Sequence, residues 1–206
     1  MVRSGMKSGC WLPTILLCAT ALLPAQKPDQ TLAQLDQSGL VAVAGHNAPY
    51  LIRHLPLSSF PSLPAKLAGL LDRRGCLIPQ TYEAHRPENV VHASLERAGS
   101  SDWAVLCSKE GTVSLLVFFS SAPAKLLVLA TAPETERLQA HDLSGVLGFN
   151  WGIDPATPEQ IRQAQSGVRP RPARVDHDAL VDSVVEGRTV YHFYVKSAWS
   201  VLETPE

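Results

Sequence analysis

Aromatic residues are scarce in this chain, 6% of 206, and charge nearly cancels, with 18 Lys and Arg against 19 Asp and Glu. No long basic run appears, so there is no electrostatic footprint for a nucleic acid. No apolar run reaches the roughly 18 residues needed to span a bilayer. The best candidate, Trp11 to Leu23, has 13 and is interrupted by Pro13. There is no His-Glu-x-x-His, no Gly-x-Ser-x-Gly elbow and no phosphate-cradling glycine loop. Gly145, Gly148 and Gly152 lack the preceding strand of a dinucleotide fingerprint. No repeat of about 20 to 50 residues recurs. Nucleic-acid binding is therefore excluded, the best-marked hydrolase and nucleotide chemistries lack support, and no cofactor is expected.

What is present is globular: 45% hydrophobic and 18% charged residues, with 16 prolines that imply stiff connections. Arg3 and Lys7 make a basic start, Trp11 to Leu23 an apolar stretch, and Pro24-Ala25 a small-residue cleavage point before a polar run. Residues 1–25 thus read as a secretory signal peptide. Its loss leaves 16 basic and 19 acidic residues, a mature charge of −3 with no membrane span. Residues 26–206 form one expected domain, with 26–38 a frayed lead-in. The expected location is secreted or periplasmic.

Export removes Cys10 and Cys18 and leaves Cys76 and Cys107. In an oxidising compartment the simplest reading is one disulfide between them. Two separate buried thiols are the alternative, and a catalytic Cys–His pair a distant third, because Cys107 ends an apolar strand.

Leu40 to Ala44 and Tyr50 to Leu55, joined by Gly45 to Pro49, read as a β-hairpin. Leu63, Leu67, Leu70 and Leu71 recur at helical spacing. They predict a helix with Ser62 as N-cap and Gly75 just past the end. Leu77 to Pro87 reads as an irregular crossing. Val90 to Leu95, Trp103 to Ser108, Val113 to Phe119 and Lys125 to Thr131 are four strands with short links, hence an antiparallel meander. Trp103 to Ser108 is apolar enough to be covered on both faces. Pro133 to Leu138 is a helical turn or a strand edge. Gly145 to Gly152 is a strand, or a loop whose backbone approaches something closely. Thr157, Pro158 and Gln160 predict a capping box. Asp178 would cap a helix over Ala179 to Glu186, and Thr189 to Val195 with Ala198 to Glu203 would close the chain as a hairpin about Lys196-Ser197. The expected fold is α+β: a mostly antiparallel sheet of five to seven strands packed by the leucine helix and one or two short helices.

Asn89-Val90-Val91, Gly99 and Asp102-Trp103-Ala104-Val105-Leu106 resemble the strand–turn–strand unit of FG-GAP/VCBS-type repeats of secreted proteins. In that family paired aspartates in the turn bind calcium. Here the turn is Arg97 to Ser101 and lacks them, so the resemblance implies a hairpin without calcium. The chain as a whole resembles uncharacterised exported bacterial proteins, which implies no activity.

Seven histidines are present and none has a metal-ligand spacing. The tightest clusters are His141-Asp142 and Asp176-His177-Asp178. One reading makes His177 a base or ligand oriented by a carboxylate, with Asp176, Asp178, His141 and His85 as candidate companions. The other is a solvated turn in which Asp178 caps the next element. Late aromatics, Phe149, Trp151, Tyr191, Phe193, Tyr194 and Trp199, form either a ligand surface or the second half of the core. The functional expectation is a non-enzymatic exported protein that binds a protein or small-molecule ligand. The alternative is a hydrolase-like or metal-assisted enzyme, and convergence of those side chains in one pocket decides between them.

Overall fold

The strongest strand, β5 (Asp102–Lys109), is buried on both faces, and the rest of the chain covers it. Ala104 and Leu106 face one apolar cluster, while Trp103, Val105 and Cys107 face another. The computed structural model describes residues 35–170 and 172–204, and the proposed signal peptide lies outside them.

The predicted meander is present. β4 (Val90–Ala93), β5, β6 (Thr112–Phe118) and β7 (Leu126–Pro133) follow in order, all antiparallel. A second sheet is built on β1 (Gln37–Val43) and β2 (His46–Leu55). Beside β2 run β9 (Leu147–Phe149), parallel to it, and β8 (Leu138–Ala140), while β3 (Ile78–Gln80) pairs with the far end of β2. β1 begins inside the stretch read as frayed. The third sheet is another antiparallel meander: β10 (Trp151–Ala156), β11 (Ala179–Val184), β12 (Thr189–Val195) and β13 (Ala198–Thr204).

The α+β expectation is therefore corrected. The described residues hold thirteen strands in three sheets and two short α-helices, an all-β fold. The largest single error is Ala179 to Glu186, a strand and not a helix. Asp178 does not cap it. Its amide donates to Ser94 O (3.0 Å) and its Oδ2 accepts from Ser94 N (2.9 Å), which holds the following residues extended. Ala179 then pairs with Ala156 and Val184 with Trp151. Gly187 belongs to the β11–β12 turn, where Glu186 has φ 53°.

The leucine helix, α1 (Ala65–Arg74), packs Leu67 and Leu71 onto the outer face of β5 and β6. Gly75 ends it at φ 74°, as expected, but Pro64 and not Ser62 precedes its first residue, without a side-chain cap. Just past Gly75 the disulfide Cys76–Cys107 joins the helix end to β5. The second helix, α2 (Pro158–Ala164), has the predicted capping box between Thr157 and Gln160. No helix among the described residues is long and apolar enough to cross a membrane.

Asp102 opens β5 fully buried. Its Oδ2 accepts from the Glu96 amide at 2.8 Å and from the Ser100 hydroxyl, and its Oδ1 accepts from the Ser120 amide at 2.7 Å. Burial pushes its pKa up, but the bonds from Ser100, Ser120 and Glu96 outweigh this and leave the carboxyl below its ordinary range. Buried Glu134 behaves alike: burial raises it, and His54 and Ser108 bring it down. A carboxyl depressed in the fold contributes stability that is present above its unfolded pKa and lost as pH falls through the folded one. With unfolded values of about 4, thermal melts should hold steady for these groups down to about pH 5 and fall steeply below about pH 4. Asp102→Asn should melt lower at neutral pH, because its amide sets a donor against donors, and its acid limb should be shallower. An unchanged acid limb in that variant would remove Asp102 from the account.

Candidate functional site

The β12–β13 hairpin turns at Lys196-Ser197, both with positive φ (52° and 63°). This twist suits the strands. The equivalent turns Ala44-Gly45 and Glu110-Gly111 each use one glycine, whereas this one uses none. Two side-chain-bearing residues in the left-handed region cost about 1 kcal/mol or more each. Such strain collects at functional positions, and this turn borders a cleft.

One half of the cleft, about 270 Å³, is apolar and aromatic. Period-2 alternation sends Tyr194 and Trp199, paired across the hairpin, to the same face. Their ring centroids are 5.3 Å apart, and both pack on Phe119, at 4.8 and 5.8 Å. Phe119 is buried, while Tyr194 and Trp199 are half-buried and line the opening with Leu127. The Trp199 indole Nε1 is buried without a partner among the described residues.

The other half, about 450 Å³, is charged and shares Glu96, Tyr194 and Ser197 with the first. Arg97, Arg174 and Lys196 line it, and Lys125 lines the aromatic half. Among the described residues, the carboxylates lining either half are Glu96 and Asp176. Glu96 is engaged, 3.3 Å from Arg97 Nη1 and accepting from Ser121 Oγ at 2.7 Å. Among the described residues Arg174, Lys196 and Lys125 have no carboxylate within ion-pair reach. Four cations against two carboxylates give this cleft a positive balance on a chain of net charge −1.

The sequence candidates separate. Asp176 and His177 both line the charged half, but buried His177 turns Nδ1 to the carbonyl of Asp178 at 3.0 Å. Asp178 is spent on Ser94. His141 lies just after β8, away from the cleft, stacked on Tyr82 at 4.5 Å and 3.6 Å from Asp142. Gly148 admits this stack, since a Cβ there would lie 2.5 Å from Tyr82 Cβ. His85 lines a third cavity, of about 340 Å³, with Arg53 and His54. Among the described residues no three His, Cys, Asp or Glu side chains assemble as a metal site. The late aromatics divide as well: Phe149, Trp151 and Phe193 are core, and Tyr194 and Trp199 are cleft.

Two further groupings carry no sequence signal. Glu134 Oε1 accepts from Ser108 and lies 2.7 Å from His54 Nε2, while Oε2 has no partner among the described residues. Since the carboxylate sits between the serine and the histidine, the order is wrong for a nucleophilic triad, in which the histidine is central. Glu83, Glu88, Asp154 and Glu186 border an acidic cavity of about 480 Å³. Burial and then Glu88 push Asp154 up, with Arg86 opposing.

No family model matches this chain, and neither does any curated protein or solved structure.

Proposed function

We propose that this chain is an exported, non-enzymatic binding protein, cleaved near Ala25, whose partner seats in the cleft beside the β12–β13 turn. The observation that carries the reading is the half-buried pair Tyr194 and Trp199 on buried Phe119, an aromatic platform open on one side and flanked by Arg174, Lys196 and Lys125, which have no carboxylate within ion-pair reach among the described residues. Aromatic side chains in a partly enclosed pocket supply most of the energy at binding sites. The disulfide agrees with an oxidising compartment.

The test is capture from the envelope of its own cell by the immobilised mature protein and by Trp199→Ala. A species held by the wild type should be lost from the variant, since truncating a tryptophan anchor costs about 2 kcal/mol or more, some thirtyfold in affinity. Retention of the same species by both proteins would place the binding surface elsewhere. Trp199 packs on the buried core at Phe119, so Trp199→Ala should melt lower, and the comparison is made at a temperature well below the midpoint of both proteins.

A further inference from the structure

We infer that the occupant of this cleft is an extended acidic peptide segment of a partner protein, added antiparallel to the free edge of β13. The inference rests on the cleft reading above and names its ligand.

The first observation is the edge itself. β13 is the last strand of its sheet, so one side of its backbone is without a strand partner among the described residues. Folded proteins guard such edges with proline, lysine, bulges or inward charges. The guards are visible elsewhere in this molecule. β10, at the opposite edge of the same sheet, carries Asp154 and Pro155. β7 meets its neighbour through a bulge at Leu115/Leu116 and ends in Pro133. β13 has none over Ala198 to Leu202, keeps unbroken register with β12, and exposes Val201 to 55%. β1 carries no charge either, and what favours β13 is the company it keeps.

That company is the second observation. Residues directly opposite in neighbouring strands point to the same face. A residue added opposite Trp199 therefore sends its side chain into the aromatic half of the cleft, whose 270 Å³ accommodates one large apolar group. In an antiparallel addition the following residues pass Ala198 and leave the edge at the turn. There they meet Lys196, Arg97 and Arg174. Charge complementarity thus sets both the ligand class and its direction: a large apolar residue, with acidic residues two to four positions C-terminal to it. Strand addition supplies main-chain affinity, and the pocket and cations supply the selection.

The probe is a synthetic octapeptide of β-prone residues with one phenylalanine followed two residues later by three acidic residues, titrated by tryptophan fluorescence and calorimetry. It should bind the mature protein, weaken with added salt, and lose on the order of tenfold in affinity to Arg174→Glu/Lys196→Glu. The same peptide N-methylated at alternate residues, and its analogue with lysines for acids, should each bind about tenfold more weakly. Equal binding of the N-methylated peptide overturns strand addition, and equal binding of the lysine analogue overturns the charge argument. A signal from an acidic oligosaccharide alone, lost in Trp199→Ala, overturns the peptide inference and leaves the cleft reading standing. If no probe of any class responds to Trp199→Ala, both fall. A cooperative melt with a midpoint well above the assay temperature in every variant excludes misfolding as the cause of a loss.

Discussion

Asn89→Asp should cost upwards of about 4 kcal/mol of stability at neutral pH, although it changes one NH2 group to an oxygen. Asn89 is 2% exposed and lies where the three sheets meet. Its Nδ2 donates to Pro79 O in β3 (2.7 Å) and to Trp151 O in β10 (3.2 Å). Its Oδ1 accepts from Ile153 N in β10 at 3.0 Å, and its own carbonyl accepts from Leu106 N in β5. Every polar atom of the amide is used. An aspartate keeps the shape and loses both donors, so a carboxylate oxygen faces two buried carbonyls. Each orphaned backbone group costs about 1–3 kcal/mol, and the buried charge adds to that. The sum, upwards of about 4 kcal/mol, is a large part of the whole stability of an ordinary domain, about 5–15 kcal/mol.

The backbone adds a second component that two variants separate. Asn89 has φ 69°, a conformation asparagine adopts at lower cost than alanine. Asn89→Gly should lose the three side-chain bonds alone, and Asn89→Ala should be about 1 kcal/mol worse. Urea denaturation of the three variants measures both differences. An Asn89→Asp chain within about 1 kcal/mol of the wild type would show that the amide does not join the sheets.

Nothing in the sequence around Asn89 announces this role, and the reason is general for this fold. Local signals were legible: alternation and turn residues gave the meander over 90–131, leucine spacing and Gly75 gave α1, and Thr157 with Gln160 gave the capping box. What was not legible depends on partners far along the chain. β3, β8 and β9 are three residues each, too short for a period to show. β9 exists because Leu147 and Gly148 pair with Tyr50 and Leu51 of β2, nearly a hundred residues earlier. The run Ala179 to Glu186 read as helical because Asp178 and Gly187 have the right chemistry to bracket one. The bonds to Ser94 gave Asp178 a better use. The cleft divides likewise. Its aromatics and His177 were noticeable by composition. Glu96, Arg97, Phe119 and Lys125 come from the loops of a different sheet, and only folding brings them to the Lys196-Ser197 turn.

The second large effect concerns the bond that the sequence did announce. Reducing the protein, or replacing both partners as in Cys76→Ala/Cys107→Ala, should lower its stability by about 3–4 kcal/mol. The linked cysteines are 31 residues apart, and the chain entropy released to an unfolded loop of that length accounts for this amount. At about 2–4 °C per kcal/mol for a chain of this size, the melting temperature should fall by on the order of 10 °C. Yet the fold should survive, because the connection is doubled by backbone bonds. Leu77 N donates to Ser108 O at 3.0 Å and Ser108 N to Leu77 O at 2.8 Å, so the segment after α1 stays pinned to β5 without sulfur. Both cysteines are nearly fully buried among Leu71, Val105 and Leu116, so each single serine variant should be worse than the double alanine, leaving a hydroxyl and a lone thiol in an apolar cluster. The effect should also reach one residue further. Ser108 follows Cys107 and donates to Glu134, which in turn holds His54. A looser β5 end should therefore shift the His54 ring signals in NMR on reduction while those of His177, in the third-sheet cleft, stay put. Mass spectrometry should find two added hydrogens after reduction, and a melting temperature indifferent to reductant would refute the stabilising role of the bond.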